Sequence, residues 1–406
     1  MERELGAFEH LYWLYNQFHP LDFATVARLE EQLSVDQLRV ALRQVQQRHP
    51  LLRVRIETDA MGYPRFVETD AEIPIRQVAK AEDQQWQQEV ADELSRSLDW
   101  QIAPLIRVVL LQSEIESDLI LVCHHAIADG LSAVYLIQDI IQGMSGKQFK
   151  RSDLSAAASL ESALPGSEPY PDKIPKPIDY VPPQAHCSRP HIRPVVLSTN
   201  LTQQLIQRSR AEQTTVHGAI SAAFLLALAP QVGNPIRCLH PVNVRSHLSL
   251  PMSDGVGLYF CFCVTSHSLQ AGSEFWEIAR SVKSQLSQID IAQQLTEERQ
   301  LRQPMISHLT DAAAFMADMQ SQYPSHLTVT NLGRVDIAQQ YGNIRIAALY
   351  APVAMPGVDE GLTLGVATLG NRLALTLVSN SQMDGSDQTA TALLSKGVKH
   401  LEQAVE

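Results

Sequence analysis

Residues 118–135 read DLILVCHHAIADGLSAVY, an apolar run that ends in two adjacent histidines, with Asp129-Gly130 three small or apolar residues further on. Imidazole titrates close to neutral pH, so it is the side chain best suited to take a proton from an acceptor and hand it back. The four fixed residues of His-His-x-x-x-Asp-Gly arise by chance in roughly one chain in a thousand of this size. A base at the end of a buried strand is held rigidly, while the turn that follows opens its side chain to a cleft. Each ring also has a competing reading as a satisfied structural histidine. Alternation along a strand sends His124 and His125 to opposite faces, so the two do not converge on one metal ion. Cys261-x-Cys263 has the parity for one face but lacks a third and fourth ligand, and no metal site is expected. Asp129 invites comparison with a triad acid orienting His125, but four residues across a strand-to-helix turn argue against that role.

The elements that would position these residues follow from hydrophobic period. Leu105 to Leu111 and Leu119 to His124 are β-branched, apolar runs of strand length and should be neighbours in a covered sheet. Gly130 opens a helix whose buried side is Val134, Ile137 and Ile141. Ser34-Val-Asp-Gln37 has the spacing of a capping box, Val35, Leu38, Ala41, Leu42 and Val45 recur at helical intervals, and Pro50 stops that helix. Leu51 to Ile56 reads as a strand, a second strand lies near Phe66-Val67, and Glu82 to Leu98 reads as a helix. In the second half, helices are expected at Leu201–Arg210, Thr215–Leu228, Phe275–Leu286 and Gln388–Ala404. Strands are expected at Val195–Leu197, Arg237–Val244, Tyr259–Thr265, Leu327–Thr330, Ile344–Tyr350, Leu362–Thr368 and Leu373–Val378. Nine of the 22 prolines fall between Leu164 and Pro194, which predicts an extended crossover without helix or central strand. Ile174, Ile178, Tyr180 and Val181 could pack it on a surface. The expected division is therefore 1–163, a linker over 164–194, and 195–406, each half of mixed α/β type with helices packed on a sheet.

At 406 residues the chain exceeds one ordinary core, and 45% hydrophobic with 19% charged residues fits a soluble globular protein. A formal charge of −12 argues against a nucleic-acid partner, although local arginines can still make a positive rim. Cys123, Cys187, Cys238, Cys261 and Cys263 are scattered and odd in number, with no disulfide framework, and suit a reducing compartment. The opening MERELGAFEHLYWLYNQ lacks the basic and apolar regions of a signal peptide, and the apolar stretch from Ala219 to Ala229 is too short for a membrane span. A cytoplasmic protein without a transmembrane segment is expected.

HHAIADG resembles the active-site motif of the condensation-domain superfamily of acyltransferases. That superfamily includes condensation domains of nonribosomal peptide synthetases, stand-alone polyketide-associated acyltransferases and alcohol acetyltransferases. LEEQLSVDQLRVALRQVQQRHPLLRVRI (29–56) and LDWQIAPLIRVVLL (98–111) are similar to the family's opening helix and the strand feeding its active site. VHGAISAAFLLAL (216–228), PVNVRSHL (241–248) and VTNLGRV (329–335) resemble its second-half landmarks, in the same order.

The resemblance implies two chloramphenicol-acetyltransferase-like halves forming a pseudo-dimer, with donor and acceptor meeting in a tunnel between them. His125 would be the catalytic general base, deprotonating a hydroxyl or amine that attacks a thioester carbonyl. No covalent acyl-enzyme is implied, and no G-x-S-x-G nucleophile motif is present. His124 would brace the structure, and Gly130 would allow close packing at the helix start. Asp129 becomes the structural partner of an arginine, with Arg245 the first candidate and Arg334 the second. Asn331 with neighbouring amides, and the backbone around Gly130, are candidates for stabilising an oxyanion. Ser132, Tyr259, Gly255 and Gly257 are candidates for the tunnel wall.

No bound cofactor is implied: coenzyme A thioester, or a phosphopantetheinyl carrier supplied in trans, would be a co-substrate. A monomer is expected. NLGRV and the chain length favour the ester-forming, polyketide-associated branch. The competing readings are an amide-forming condensation or epimerisation domain, and a non-catalytic carrier-docking scaffold. If Arg245 is the partner of Asp129, Arg245→Ala abolishes turnover or folding while Arg334→Ala leaves both intact. The reverse pattern, read by activity and circular dichroism, overturns that assignment.

Overall fold

The computed structural model describes residues 2–19, 21–60, 63–153, 157–164, 189–248, 255–270, 272–307, 317, 321, 323, 325–356, 361–380 and 386–406. The first half runs β1 (Glu2–Glu4), α1 (Ala7–Phe18), β2 (Phe23–Leu29), α2 (Val35–Arg48), β3 (Val54–Thr58), β4 (Pro64–Glu68) and β5 (Ile75–Ala79). It continues with α3 (Gln85–Leu94), β6 (Ile106–Gln112), β7 (Ser117–Cys123), α4 (Gly130–Met144) and the single turn α5 (Leu160–Ala163). Then follow β8 (His191–Val196), α6 (Thr199–Ala211), α7 (Val216–Leu228), β9 (Ile236–Asn243), β10 (Phe260–His267), α8 (Phe275–Ser287) and α9 (Ile291–Ser307). The last elements are β11 (Leu327–Val335), β12 (Gln340–Tyr341), β13 (Ile344–Ala354), β14 (Leu362–Leu369), β15 (Arg372–Ser379) and α10 (Ser386–Val405).

Two six-stranded sheets carry the molecule. The first has the order β12-β13-β2-β7-β6-β5, the second β10-β9-β11-β14-β15-β8, and β1-β4-β3 form a small third sheet. Strand β7 explains how the first sheet is covered. All seven of its residues are buried, with Leu119, Leu121 and Cys123 in the core beneath α2 and α4, and Ile120 and Val122 in the core beneath α3. A strand buried on both faces reads as an unbroken apolar run. Helix α2 buries Leu38, Ala41, Leu42 and Val45, and Ser34 Oγ accepts from the Gln37 amide at 3.4 Å at its start. In the second half α7, capped by Thr215 Oγ1 accepting from Gly218 N at 3.0 Å, shares a core with α8, α10 and the inner face of the second sheet.

The expected strand from Leu51 begins instead as a 3₁₀ turn over Pro50–Arg53, because the fixed φ of Pro50 suits a turn's first residue, and extended backbone starts at Val54. Helix α1, strands β2 and β5, and helices α5 and α9 have no counterpart in the sequence reading. Of the proline-rich crossover, 165–188 with Ile174, Ile178, Tyr180 and Val181 lies outside the described residues. Pro194 sits in β8, opposite Thr376, at the edge of the second sheet where a missing donor is tolerated.

A division at 195 does not separate the sheets. Strand β13, from the second half of the chain, hydrogen-bonds β2 from Ile346↔Leu29 to Ala354↔Phe23 and so belongs to the first sheet. Helix α1 makes the opposite crossing: Phe8, Leu11, Tyr12 and Tyr15 pack with Tyr259, Phe260, Cys261 and Leu295 of the second half. This exchange of β13 has a physical cause, since β2 would otherwise leave an apolar edge unpaired.

The two sheets touch where β13 crosses β14. A Cβ on Gly365 of β14 would collide with the carbonyl oxygen of Pro352 in β13. Gly365→Ala should therefore lower stability by about 2 kcal/mol or more, seen as a lower urea midpoint. Gly233→Ala, where a Cβ meets open space, should leave the midpoint unchanged.

Candidate active site

Strand β7 ends at Cys123, one residue earlier than the apolar run suggested, so both histidines lie in the turn between β7 and α4. The turn is tightly made. The His124 amide continues the ladder to Leu105 O at 3.0 Å, the Ile127 amide returns to His124 O at 3.1 Å, and His124 Nδ1 accepts from the Ala126 amide at 3.1 Å. His124 is fully buried, and its ring serves the backbone. His125 lies at the wall of a cavity of about 190 Å³ between the two halves. Tyr12 of α1, Phe23 of β2 and Phe260 of β10 surround its ring at centroid distances of 4.5, 4.7 and 5.7 Å. Those three come from separate elements of both halves, and no local pattern marks them.

Asp129 is the N-cap of α4. Its Oδ1 accepts from the Ser132 amide at 2.8 Å and from Arg245 NH2 at 3.0 Å, and its Oδ2 accepts from Arg245 NH1 at 2.8 Å and the Tyr259 amide at 3.0 Å. Arg245 follows β9 in a short 3₁₀ turn, so the bidentate pair joins the motif to the second half. The guanidinium also donates to Ser132 Oγ at 2.8 Å, Gly255 O at 3.2 Å and Asn243 Oδ1 at 3.2 Å, and lies over the Tyr259 ring at 4.9 Å. Arg334 is exposed on β11, away from this cluster.

Ser132 and Tyr259 are not part of the cavity wall. Ser132 is fully buried behind Asp129, within 2.8 Å of Asp129 Oδ1 and of Gly257 O. Tyr259 donates its hydroxyl to Ala158 O at 2.7 Å. Gly257 belongs to the same cluster: its amide donates to Ser132 Oγ at 3.1 Å and its carbonyl accepts from Asp129 N at 3.0 Å. These small and aromatic residues were drawn into the clasp because a buried carboxylate and guanidinium together demand many partners.

Gly130, at the first turn of α4, lines the cavity, and a Cβ there would stand 3.2 Å from the Pro352 ring. Asn331 lines it too, within β11 rather than in a turn. The strand bulges between Asn331 and Arg334, Gly333 takes φ +67°, and its amide donates to Asn331 Oδ1 at 2.7 Å. Asn331 Nδ2 lies 3.3 Å from Nδ1 of His217 at the start of α7, a contact the sequence did not suggest.

Residues 15–155 match the family model of the condensation domain, and residues 187–377 match that of the phthiocerol/phthiodiolone dimycocerosyl transferase C-terminus. The chain belongs to the condensation-domain superfamily. Relatives in this superfamily include tyrocidine synthase 3 of Brevibacillus parabrevis, 34% identical over 132 residues, and surfactin synthase subunit 2 of Bacillus subtilis, 33% identical over 133 residues. Each match spans 32% of this chain and only 2% and 4%, respectively, of those proteins. Among solved structures, polyketide synthase associated protein 5 from Mycobacterium tuberculosis superposes with a TM-score of 0.67 at 16% identity, over 100% of this chain and 98% of that one. The first condensation domain of the calcium-dependent antibiotic synthetase, in complex with a substrate analogue, gives 0.72 at 15% identity over 100% and 96%. The trichothecene 15-O-acetyltransferase of Fusarium sporotrichioides gives 0.68 at 11% over 98% and 95%. At these identities the structural likeness is one of fold, and the fold is that of two chloramphenicol-acetyltransferase-like halves.

Burial sets the charges in this condensation-superfamily site. It pushes His125 down to about 4, against the opposing influence of the Asp129 charge and the nearby carbonyls of His125 and Ala128. Neither carbonyl meets Nδ1 with hydrogen-bond geometry. Burial, then the neighbouring His125, lowers His124 to about 3, and burial lowers His217 to about 4. Burial alone would raise Asp129, but the Arg245 charge and the hydrogen bonds from Arg245, Ser132 and Tyr259 hold it below the usual carboxylate range. No helix among the described residues is long and apolar enough to cross a membrane.

These shifts have a sign. A histidine whose folded pKa falls below 6.5 contributes stability that is present above 6.5 and lost as pH drops towards its folded value. Asp22, fully buried and raised from 3.8 to about 6, opposes this, since its contribution is lost as pH rises through about 6. Burial also lowers His10, to about 3, and His240, so the histidines outweigh the one raised carboxylate and the urea midpoint should climb between about pH 3 and pH 6.5. A flat midpoint across that window would contradict the neutral, buried rings.

Proposed function

We propose that the chain is an acyltransferase that moves an acyl group from a thioester to a hydroxyl acceptor, with His125 as general base. The observation that carries the reading is a neutral imidazole on the cavity wall, caged by Tyr12, Phe23 and Phe260, in a turn clasped between the two halves. In this reading His125 accepts the acceptor's proton as its oxygen attacks the thioester carbonyl. The tetrahedral oxyanion then collapses, the carbon–sulfur bond breaks, and the departing thiolate takes the proton from the imidazolium. The Asn331 amide and the first amides of α4 at Gly130 are the donors on the cavity wall suited to the oxyanion. Asp129 serves as an anchor for the turn, because both of its oxygens are already engaged by Arg245, Ser132 and Tyr259.

The donor is a coenzyme A thioester or the phosphopantetheine arm of a carrier protein, and the setting is natural-product or lipid biosynthesis. The family models and the acetyltransferase among the structural neighbours support ester formation. Amide formation is the second reading, favoured by the peptide-synthetase relatives at 33–34% identity. Incubation with short- and long-chain acyl thioesters and mixed alcohols or amines, read by thiol release and intact product mass, tests both. His125→Ala should lower thiol release by about 10²- to 10⁴-fold. Equal release from the variant and the wild type would overturn the base mechanism, and acylated amines without esters would select the second reading.

A further inference from the structure

A line of hydrogen bonds leaves the cavity wall and runs through the second half. Gly333 N–H can only donate, so the Asn331 atom it meets at 2.7 Å is Oδ1, and the atom facing His217 is the amide nitrogen. His217 Nδ1 must then accept, which places the His217 proton on Nε2. That nitrogen lies 2.9 Å from His240 Nδ1, so His240 in turn accepts there and carries its own proton on Nε2, 2.9 Å from Thr265 Oγ1. Thr265 Oγ1 lies 3.0 Å from His267 Nε2, and His267 Nδ1 lies 3.4 Å from Ser281 Oγ on α8. His240, Thr265 and His267 are all at least nine-tenths buried. The geometry assigns one direction to the steps from Asn331 to Thr265: Asn331 donates to His217, His217 to His240, and His240 to the Thr265 hydroxyl.

This line has a chemical consequence at its cavity end. One Asn331 N–H is committed to His217, and no other bond to this amide exists among the described residues. The amide cannot flip, because a flip would set its nitrogen against the Gly333 N–H and its oxygen against the lone pair of His217. The second N–H is therefore left for an acceptor in the cavity. Burial holds His217 and His240 below their ordinary pKa, with His217 and His267 adding to the effect at His240, so the rings remain neutral acceptors.

We propose that His217, backed by His240 and Thr265, is a positioning residue that holds Asn331 as a hydrogen-bond donor to the carbonyl oxygen of the acyl thioester. The inference rests on the acyl-transfer reading given above. Gln at position 217 offers an oxygen to Asn331 and a nitrogen donor to His240, whereas Leu offers neither. Asn331→Ala should lower kcat by about 10²-fold. His217→Leu should lower kcat by about ten-fold with little change in KM for the thioester, and His217→Gln should recover most of that loss. His217→Leu added to Asn331→Ala should cost nothing further, since the two act as one unit.

A readout independent of turnover accompanies these. Long-range ¹H–¹⁵N spectra of the wild type should show the His217 proton on Nε2, and Asn331→Ala should let the tautomer mix. A His217 proton on Nδ1 in the wild type, wild-type kcat in the Leu variant, or an equal Leu penalty with and without Asn331 would each overturn the proposal. Urea midpoints of the Leu and Gln variants separate loss of folding from loss of positioning. Failure of the acyl-transfer reading itself shows elsewhere, as His125→Ala releasing thiol as fast as the wild type.

Discussion

The Asp129–Arg245 pair is the contact that both halves must satisfy at once. One partner caps the helix leaving the histidine turn, and the other follows a strand of the opposite sheet. Both are nearly inaccessible, at 4% and 8% exposure. A buried ion pair recovers its desolvation cost only when its remaining donors and acceptors are also met. That condition organises the surroundings: Ser132, Gly255, Gly257, Asn243 and the Tyr259 amide all turn inward to it. Its value lies in orientation more than in net stability, since an apolar substitute could fill the space but would not tie the turn to the second sheet.

The two histidines show how one short turn divides labour. His124 spends its ring on the Ala126 amide, and the bend this closes sets the next residue at the cavity wall. The division does not depend on strand alternation, because the strand has already ended. It depends on a side chain standing in for a main-chain acceptor, as in other tight turns. His125 is then surrounded by aromatic faces that limit water and keep it neutral.

Local features were legible in the sequence, and long-range ones were not. The capped helix at Ser34, the apolar helix from Thr215, the apolar run of β7 and the helix opening at Gly130 follow from period, composition and capping chemistry. The pairing of Asp129 with Arg245 came within reach through the resemblance of HHAIADG and PVNVR to known motifs. Ser132 and Tyr259 were assigned to the wall, because nothing in their spacing distinguishes a residue behind the base from one beside it. Helix α1 was passed over although Phe8, Leu11, Tyr12 and Tyr15 recur at helical spacing; its partners lie on β10 and α9, far along the chain. The His217–His240 contact joins a helix start to a strand in a different part of the sequence, and period carries no information about it.

The exchange of β13 also orders events in time. On a growing polypeptide, β2 and β7 are available early, but the edge of β2 finds its partner only when residues 344–354 have been made. Until then an apolar strand edge stands open, the condition under which nascent chains pair wrongly or recruit chaperones. The first sheet is thus completed by nearly the last strands synthesised. The two halves, so alike in architecture, mature together and not in sequence.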